Sequence, residues 1–408
     1  MNNVSSIDKY DLGIIGAGVA GAFASLRIAT THPGSRTIIF DIGRPPGKRR
    51  RQIEGWLGCF PAGDGKIYPN NLDSIDVDGR KLKHAAKWVL DLMNQANPMK
   101  LIKDSNPNVS FQKKLKEFSY EYSLNDYYQW KPESIHQLSR IISESLEHKN
   151  NITFSFDNEV FKLSKRKGIF YIHSAKGDFA CKKLIICAGR SGWRWVNKLY
   201  KDLGLQVNDD YAKFGIRLEL PAQQVKELNK SHCTITKDNL ELGPFSWNGS
   251  IIPEDHADLV VSNFRSNEDR WKSDKVSFSM TYKTYFKDKG CFEADRLAKL
   301  AFLLFNDRVS KEKIRLLVKE NSQISLLPEY NWMKPTIENL TKELFPNLIN
   351  KGSFWVPNII TMPGTIRLGN NLETELEDLF VAGESAGVKG ILGAAVSGVI
   401  AADNACKG

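Results

Sequence analysis

The sequence predicts an α/β fold, a parallel sheet with helices on its faces, into which a second region of mixed strands and helices is inserted. Three observations predict it. The stretch "DLGIIGAGVAGAFASLRIA" (11–29) runs from five residues of a short buried strand through a glycine turn into small and apolar residues at helical spacing. "RTIIFDIG" (36–43) follows as a second strand, at the distance a strand–helix–strand unit requires. Two more short apolar runs end in glycine turns far along the chain, "KKLIICAGR" (182–190) and "LEDLFVAGESAG" (376–387).

The first unit carries its own chemistry. Gly16 permits a tight turn, Gly18 lets the backbone approach a pyrophosphate, and Gly21 lets helix and strand pack closely. The amino end of the helix then faces the phosphates with unpaired N–H groups and about half a positive charge. Asp41, twenty positions after Gly21, ends the second strand, where a carboxylate accepts hydrogen bonds from a ribose hydroxyl pair. The same charge repels a 2′-phosphate, which disfavours NADP at this turn.

Composition narrows the class. With 408 residues, 41% of them hydrophobic, the chain can build a large core. No run approaches the roughly 18 apolar residues that span a bilayer, and "MNNVSSIDKYD" lacks a basic stretch leading into an apolar one. A cytoplasmic protein with no membrane span is therefore expected. The six cysteines, Cys59, Cys181, Cys187, Cys233, Cys291 and Cys406, form no C-x-x-C and no zinc spacing, so no metal site is expected. Net charge is +10, densest at Lys48, Arg49, Arg50 and Arg51. No aromatic residues interleave with that cluster and no RNA-binding signature is present, so a nucleic-acid partner is not expected.

Taken together, "GIIGAGVAG", "ICAG" and "LFVAGESAGVKGILGAAVSG" resemble the FAD-dependent oxidoreductases of the glutathione-reductase-like, two-dinucleotide-binding fold, in particular the group of uncharacterised FAD-dependent dehydrogenases. "GWLGCFPAGDGKIY" (55–68) is similar to the glycine-rich loop that approaches the flavin in that group, and "KFGIRLEL" (213–220) to the first strand of its substrate domain. The resemblance implies a Rossmann-like FAD-binding domain, a parallel sheet with helices plus a β-meander, carrying an inserted α+β substrate domain. It implies that Gly16, Gly18 and Gly21 meet the FAD pyrophosphate, that Asp41 meets the adenosine ribose, that Val160 holds the adenine through its backbone, and that Ala20, Ile42 and Gly43 also bind the cofactor. It places Glu384 at the ribityl or pyrophosphate region and counts Ala188, Gly189 and Gly383 among the cofactor-binding residues. The amides of Gly387, Val388, Lys389 and Gly390 would then face the flavin pyrimidine ring. Ser25 stands where Ala or Gly is usual, a slight departure.

On this reading the FAD-binding domain is assembled from 1–80, 133–204 and 355–408, the substrate domain is 205–354, and 81–132 is a helical and aromatic insertion near the flavin. "PESIHQLSRIISESLEHKNN" reads as a helix leading into the strand "ITFSFDNEV", "KHAAKWVLDLMNQ" and "DRLAKLAFLLFNDRV" as helices, and "DLVVSNF" and "KVSFSMTY" as strands.

In such a protein FAD carries the redox chemistry and catalytic side chains are sparse. Asp64 and Lys66 beside the flavin loop, Arg217 and Glu219 at the domain junction, and Arg367 before the last FAD strand are the candidates that position supplies. Cys59 has no neighbour in sequence that would activate it, and His136 reads as a surface residue on a helix. No second G-x-G-x-x-G follows a strand, so NAD(P)H is expected only as a transient reductant. The expected function is hydride transfer between FAD and a small or medium organic substrate. The alternatives are a flavin monooxygenase or halogenase-type enzyme, since "GWRW" (192–195) partly matches a halogenase signature, and an FAD-dependent RNA-modifying or RNA-binding protein.

Overall fold

The computed structural model describes residues 7–49, 53–256, 259–360 and 364–407. The chain divides into two units: Met1–Met99, Pro132–Asp209 and Met362–Gly408 form the first, Lys100–Lys131 and Asp210–Thr361 the second. The stretch 81–132, read from sequence as one insertion, is therefore divided between them.

The first unit is α/β. Its strands are β1 (Asp8–Ile15), β2 (Thr37–Phe40), β3 (Ile152–Ser155), β4 (Val160–Arg166), β5 (Ile169–Ser174), β6 (Gly177–Ile186) and β7 (Leu379–Val381). Its main helices are α1 (Val19–Thr31), α2 (Gly79–Ala96), α3 (Pro132–Glu147), α4 (Trp193–Asp202) and α5 (Ile391–Ala405). Strands β3, β2, β1 and β6 lie parallel in that order, and β7 pairs in parallel with the last residues of β6. Their apolar, β-branched runs suit strands covered on both faces; all four residues of β2 are buried. The first half of β6 pairs antiparallel with β5, and β5 with β4, which makes the β-meander.

"ITFSFDNEV" is not one strand. It stops at Ser155 because Asp157 turns at φ +49° and the amide of Asn158 donates to the carbonyl of Asp41, so the chain folds across the end of β2 before β4 begins. "GWRW" is the start of α4: Gly192 caps it, and Trp193 is buried while Trp195 packs on the sheet core. Both tryptophans thus pack in the first unit's interior.

Helices α1 and α5 pack backbone against backbone. A Cβ at Gly398 would stand 2.2 Å from the carbonyl oxygen of Ala20, and Arg27 of α1 makes a two-pronged contact with Asp403 of α5 at 2.6 and 3.0 Å. Ser25, the departure noted above, is buried and its hydroxyl bonds back to the carbonyl of Gly21 one turn earlier.

The second unit is α+β, built on an eight-stranded antiparallel sheet. Tyr211–Pro221 runs at its centre between Lys275–Tyr285 and Ser353–Ile360. Ala212, Phe214, Ile216, Leu218 and Leu220 alternate onto one face and share a core with Ala294, Leu297 and Ala298 of helix Gly290–Leu304. The intervening residues Gly215, Arg217 and Glu219 therefore occupy the opposite face. Among the described residues no helix is long and apolar enough to cross a membrane.

Candidate dinucleotide site

Phe40, Ile15, Ile186 and Val381 stand in one row across β2, β1, β6 and β7. The turns that follow these strands consequently leave the sheet along one edge, at the carboxyl ends of parallel strands where open α/β sheets bind ligands.

Each glycine of the first turn has a separate geometric reason. Gly16 sits at φ +103°, and a Cβ there would come 2.6 Å from the carbonyl oxygen of Cys187. At Gly21 a Cβ would be 1.8 Å from the carbonyl oxygen of Gly16, so helix and turn touch through backbone. Gly18 differs, because among the described residues nothing lies within 4 Å of where its Cβ would be. It caps α1 without any side-chain hydrogen bond, and the first turn of α1 holds no acidic residue. The structure thus presents uncapped amides and open ground beside Gly18, the arrangement that suits an anionic diphosphate.

Asp41 is buried, 9% exposed, and its carboxylate accepts from the amides of Ala17 at 2.6 Å and Gly43 at 2.7 Å, with the amide of Gly55 a third donor. A carboxylate offers about four acceptor positions. Three positions are taken by backbone, so the residue first of all clamps the turn and about one position is left for a ligand. Burial pushes the carboxyl up from its ordinary value of 3.8, against the three amide donors, which pull it down. Ile42 is 53% exposed, and Gly43 meets Gly55 so closely that a Cβ would lie 2.3 Å from the Gly55 nitrogen.

Beyond Gly43 the chain returns over the turn. The amide of Leu57 donates to the carbonyl of Ala17, and a Cβ at Gly58 would be 3.5 Å from the Cα of Gly18. Arg49 holds this return in place, donating from its guanidinium to the carbonyls of Trp56 and Gly58, each at 2.5 Å. Burial lowers its pKa from the ordinary value, with Cys59 and Asp41 acting the other way. Lys48 is exposed, and Arg50 and Arg51 lie outside the described residues. The basic run is thus not a uniform solvated patch: Arg49 is a brace.

The middle and last motifs are knitted together. Arg190 donates its amide to Glu384 at 2.9 Å and its guanidinium to the same carboxylate at 3.1 Å, while Ser385 bonds the carbonyl of Ala188 and Tyr200 bonds that of Ser385. Glu384 is accordingly an ion-pair partner of Arg190, a residue sequence reasoning passed over although it directly follows Gly189. Gly383, Gly387 and Gly390 all lie at positive φ, and a Cβ at Gly390 would collide with the side chain of Asn71. The amide of Val388 is used by the carbonyl of Gly383. The amides that follow open α5, which has no side-chain cap at Gly390; Lys389 itself is exposed.

The remaining candidates fall elsewhere. Ala20 is buried at the α1–α5 contact and Val160 is buried in β4, paired with Ser174. Asp64 and Lys66 form an ion pair with each other. Arg367 is exposed and His136 is exposed. Arg217 lies on the polar face of the second unit's sheet. Glu219 is held by Lys311 at 2.6 Å, Lys275 at 2.9 Å and the Trp355 indole at 3.1 Å. Burial raises its carboxyl, but the two lysines outweigh burial and keep it below its ordinary value. It is a structural acid.

No family model matches the chain, and no curated protein matches its sequence. Solved structures do align with it along most of its length. Glycine oxidase from Geobacillus kaustophilus aligns over 98% of this chain and 95% of its own, at 14% identity and a TM-score of 0.44. NikD, an unusual amino acid oxidase essential for nikkomycin biosynthesis, aligns over 98% and 94%, at 11% identity and a TM-score of 0.43. PqsL from P. aeruginosa, in complex with 2-aminobenzoylacetate, aligns over 97% and 84%, at 10% identity and a TM-score of 0.40.

Proposed function

We propose that the chain is an FAD-dependent oxidoreductase acting on a small organic substrate. The observation that carries this reading is the row of strand ends that brings Gly16–Gly18, Asp41, the Ala188–Arg190 turn and the Gly383–Gly387 turn to one sheet edge, with open ground and uncapped amides at Gly18. These residues fit a dinucleotide. The α1 amides hold its diphosphate, the one acceptor position left on Asp41 takes a ribose hydroxyl, and the ion-paired Glu384 and the Gly383 turn border its middle. The amino end of α5 favours negative charge on the distal ring. FAD, when bound, supplies hydride or single-electron chemistry. The first unit is the FAD-binding part and the second supplies groups that bind and orient the substrate. The cellular location is the cytoplasm, and NAD(P)H serves as a transient reductant.

The test is recovery of the cofactor and its reduction. The purified protein should be yellow with about one FAD per chain and little affinity for FMN, since the acceptor position that the backbone leaves on Asp41 has a ligand partner only if an adenosine ribose is present. Anaerobic titration with NADH, NADPH and a metabolite panel, followed at the flavin band, identifies the donor. FMN alone, or a chain that takes up no flavin, contradicts the reading. Rapid NAD(P)H consumption with peroxide release in the absence of substrate would instead mark a monooxygenase.

The basic run gives a sharper expectation. Arg49→Met removes two charged hydrogen bonds that hold the 56–58 backbone against the glycine turn, each worth about 1.5–3 kcal/mol when buried. FAD affinity should fall at least about tenfold, while Lys48→Met, at an exposed position, leaves it unchanged. Flavin fluorescence on titrating the apoproteins decides; equal affinities in the two variants would reduce Arg49 to a surface cation.

A further inference from the structure

We propose that one tip of the second unit docks on an anionic lipid surface. The tip is where strand Tyr211–Pro221 begins, strand Lys275–Tyr285 ends and helix Gly290–Leu304 starts. Tyr211 and Tyr285 stand directly opposite each other across the two strands, with ring centroids 6.3 Å apart. A Cβ at Gly290 would lie 2.2 Å from the carbonyl oxygen of Tyr211, so the helix starts against that strand end. Phe292 follows in the first turn, and because helical Cα–Cβ bonds tilt toward the amino end, its ring leans toward the tip. Tyr211, Tyr285 and Phe292 are 45%, 63% and 57% exposed. Single exposed apolar residues are ordinary, but three aromatic rings gathered at one tip mark a contact surface.

Charge points to the occupant. The loop between strand and helix exposes Lys287 and Lys289, and the Lys283 Nζ lies 4.1 Å from the centre of the Tyr211 ring and 4.9 Å from that of Tyr285. Against these three cations stand Asp210 and Asp288, and the Asp210 carboxylate accepts from the amide of Asp288 at 3.2 Å. The acids nearest in the chain and the sheet are neutralised, Glu293 by Arg296 and Glu241 by Lys213. The tip is thus positive as well as aromatic, in a chain of net charge +10. That combination suits the boundary of an anionic bilayer, where tyrosines sit among headgroups, lysines meet the lipid charges and an apolar ring enters the acyl region. A single-stranded nucleic acid fits less well, because base stacking needs bare ring faces and the Lys283 ammonium already lies over both tyrosines.

Co-sedimentation of the full chain with extruded vesicles tests it, comparing phosphatidylcholine alone with phosphatidylcholine containing about a quarter phosphatidylglycerol, at low and high salt. The anionic vesicles should bind at least about tenfold more tightly than the neutral ones, and salt should weaken that binding. Phe292→Ser with Tyr285→Ser should weaken it by at least about tenfold, and Lys287→Gln with Lys289→Gln by about fivefold for each charge removed. Arg315→Gln with Lys319→Gln removes the same charge at the far end of the sheet, where Lys313 pairs with Ser353 and Ser353 with Glu219, and should leave binding within about twofold. All six positions are exposed, so the variants keep the wild-type melting point. No binding to anionic vesicles, equal loss in the Arg315 and Lys319 control, or binding untouched by Phe292→Ser with Tyr285→Ser overturns the proposal. So does a chain that pairs with a second copy through this tip and ignores vesicles, or one whose tip residues hold a single-stranded oligonucleotide instead. None of these outcomes bears on the flavin reading, which stands or falls on cofactor uptake.

Discussion

Replacing Gly18 with valine yields a folded, colourless protein. Gly18 has φ −62° and ψ −168°, extended backbone that any residue adopts, and among the described residues no atom lies within 4 Å of where its Cβ would stand. The isolated chain therefore loses little: apoprotein stability should stay within about 0.5 kcal/mol, as for a surface substitution. A bound diphosphate would meet the new side chain in the open ground, so flavin content should fall from about one per chain to none. Gly21→Val is the control with the opposite logic. Its Cβ would lie 1.8 Å from the Gly16 carbonyl, and the helix must separate from the turn, so flavin and stability are lost together. Flavin absorbance per chain and thermal unfolding of the apoproteins separate the two. Retention of stoichiometric flavin by Gly18→Val would refute the placement of the diphosphate. The comparison is made between apoproteins because loss of a bound ligand lowers the melting point by itself.

Asp41→Ala should cost both the cofactor and the fold. Three buried backbone donors, at Ala17, Gly43 and Gly55, lose their acceptor. Each unsatisfied buried donor costs about 1–3 kcal/mol, and the three share one carboxylate, so a destabilisation of about 3 kcal/mol or more is expected, larger than ribose contact alone would explain. Asp41→Asn keeps one oxygen acceptor and should fall between. The ionisation adds a pH signature. Burial holds the folded carboxyl above its unfolded value of 3.8, so between the two values the folded state carries more protons. Stability from this group is present below 3.8, is lost as pH rises through the folded value, and is level above it. Urea unfolding of the apoprotein from about pH 4 to 7 should show that decline in the wild type and not in Asp41→Asn. A rise over the same range, abolished by the substitution, would mean that the amide donors outweigh burial.

The local signals were strong where one residue type has one geometric use. Gly16 needs positive φ, Gly21 needs backbone contact, and both demands are satisfied within a few residues of the turn. The helices over "PESIHQLSRIISESLEHKNN" and "DRLAKLAFLLFNDRV" were legible from apolar spacing, because one stripe of each must be buried: Ile135, Leu138, Ile142 and Leu146 in the first, Ala294, Leu297 and Ala298 in the second. "ITFSFDNEV" misled because its alternation continues past Ser155, whereas the chain there is captured by the carbonyl of Asp41, more than 100 positions earlier.

By itself, then, the sequence determined the strand–glycine–helix unit, the acid after β2, and the three motif-bearing strands, since these follow from backbone conformation and burial within short windows. Tertiary structure decided what the charged residues do. Arg49 became a brace on Trp56 and Gly58, Glu384 a partner of Arg190, Glu219 a partner of Lys275 and Lys311, and Asp64 a partner of Lys66. A side-chain charge takes its role from whatever opposite charge or carbonyl the fold brings within about 3 Å. Most of those partners come from other strands and loops, where spacing along the chain carries no record of them.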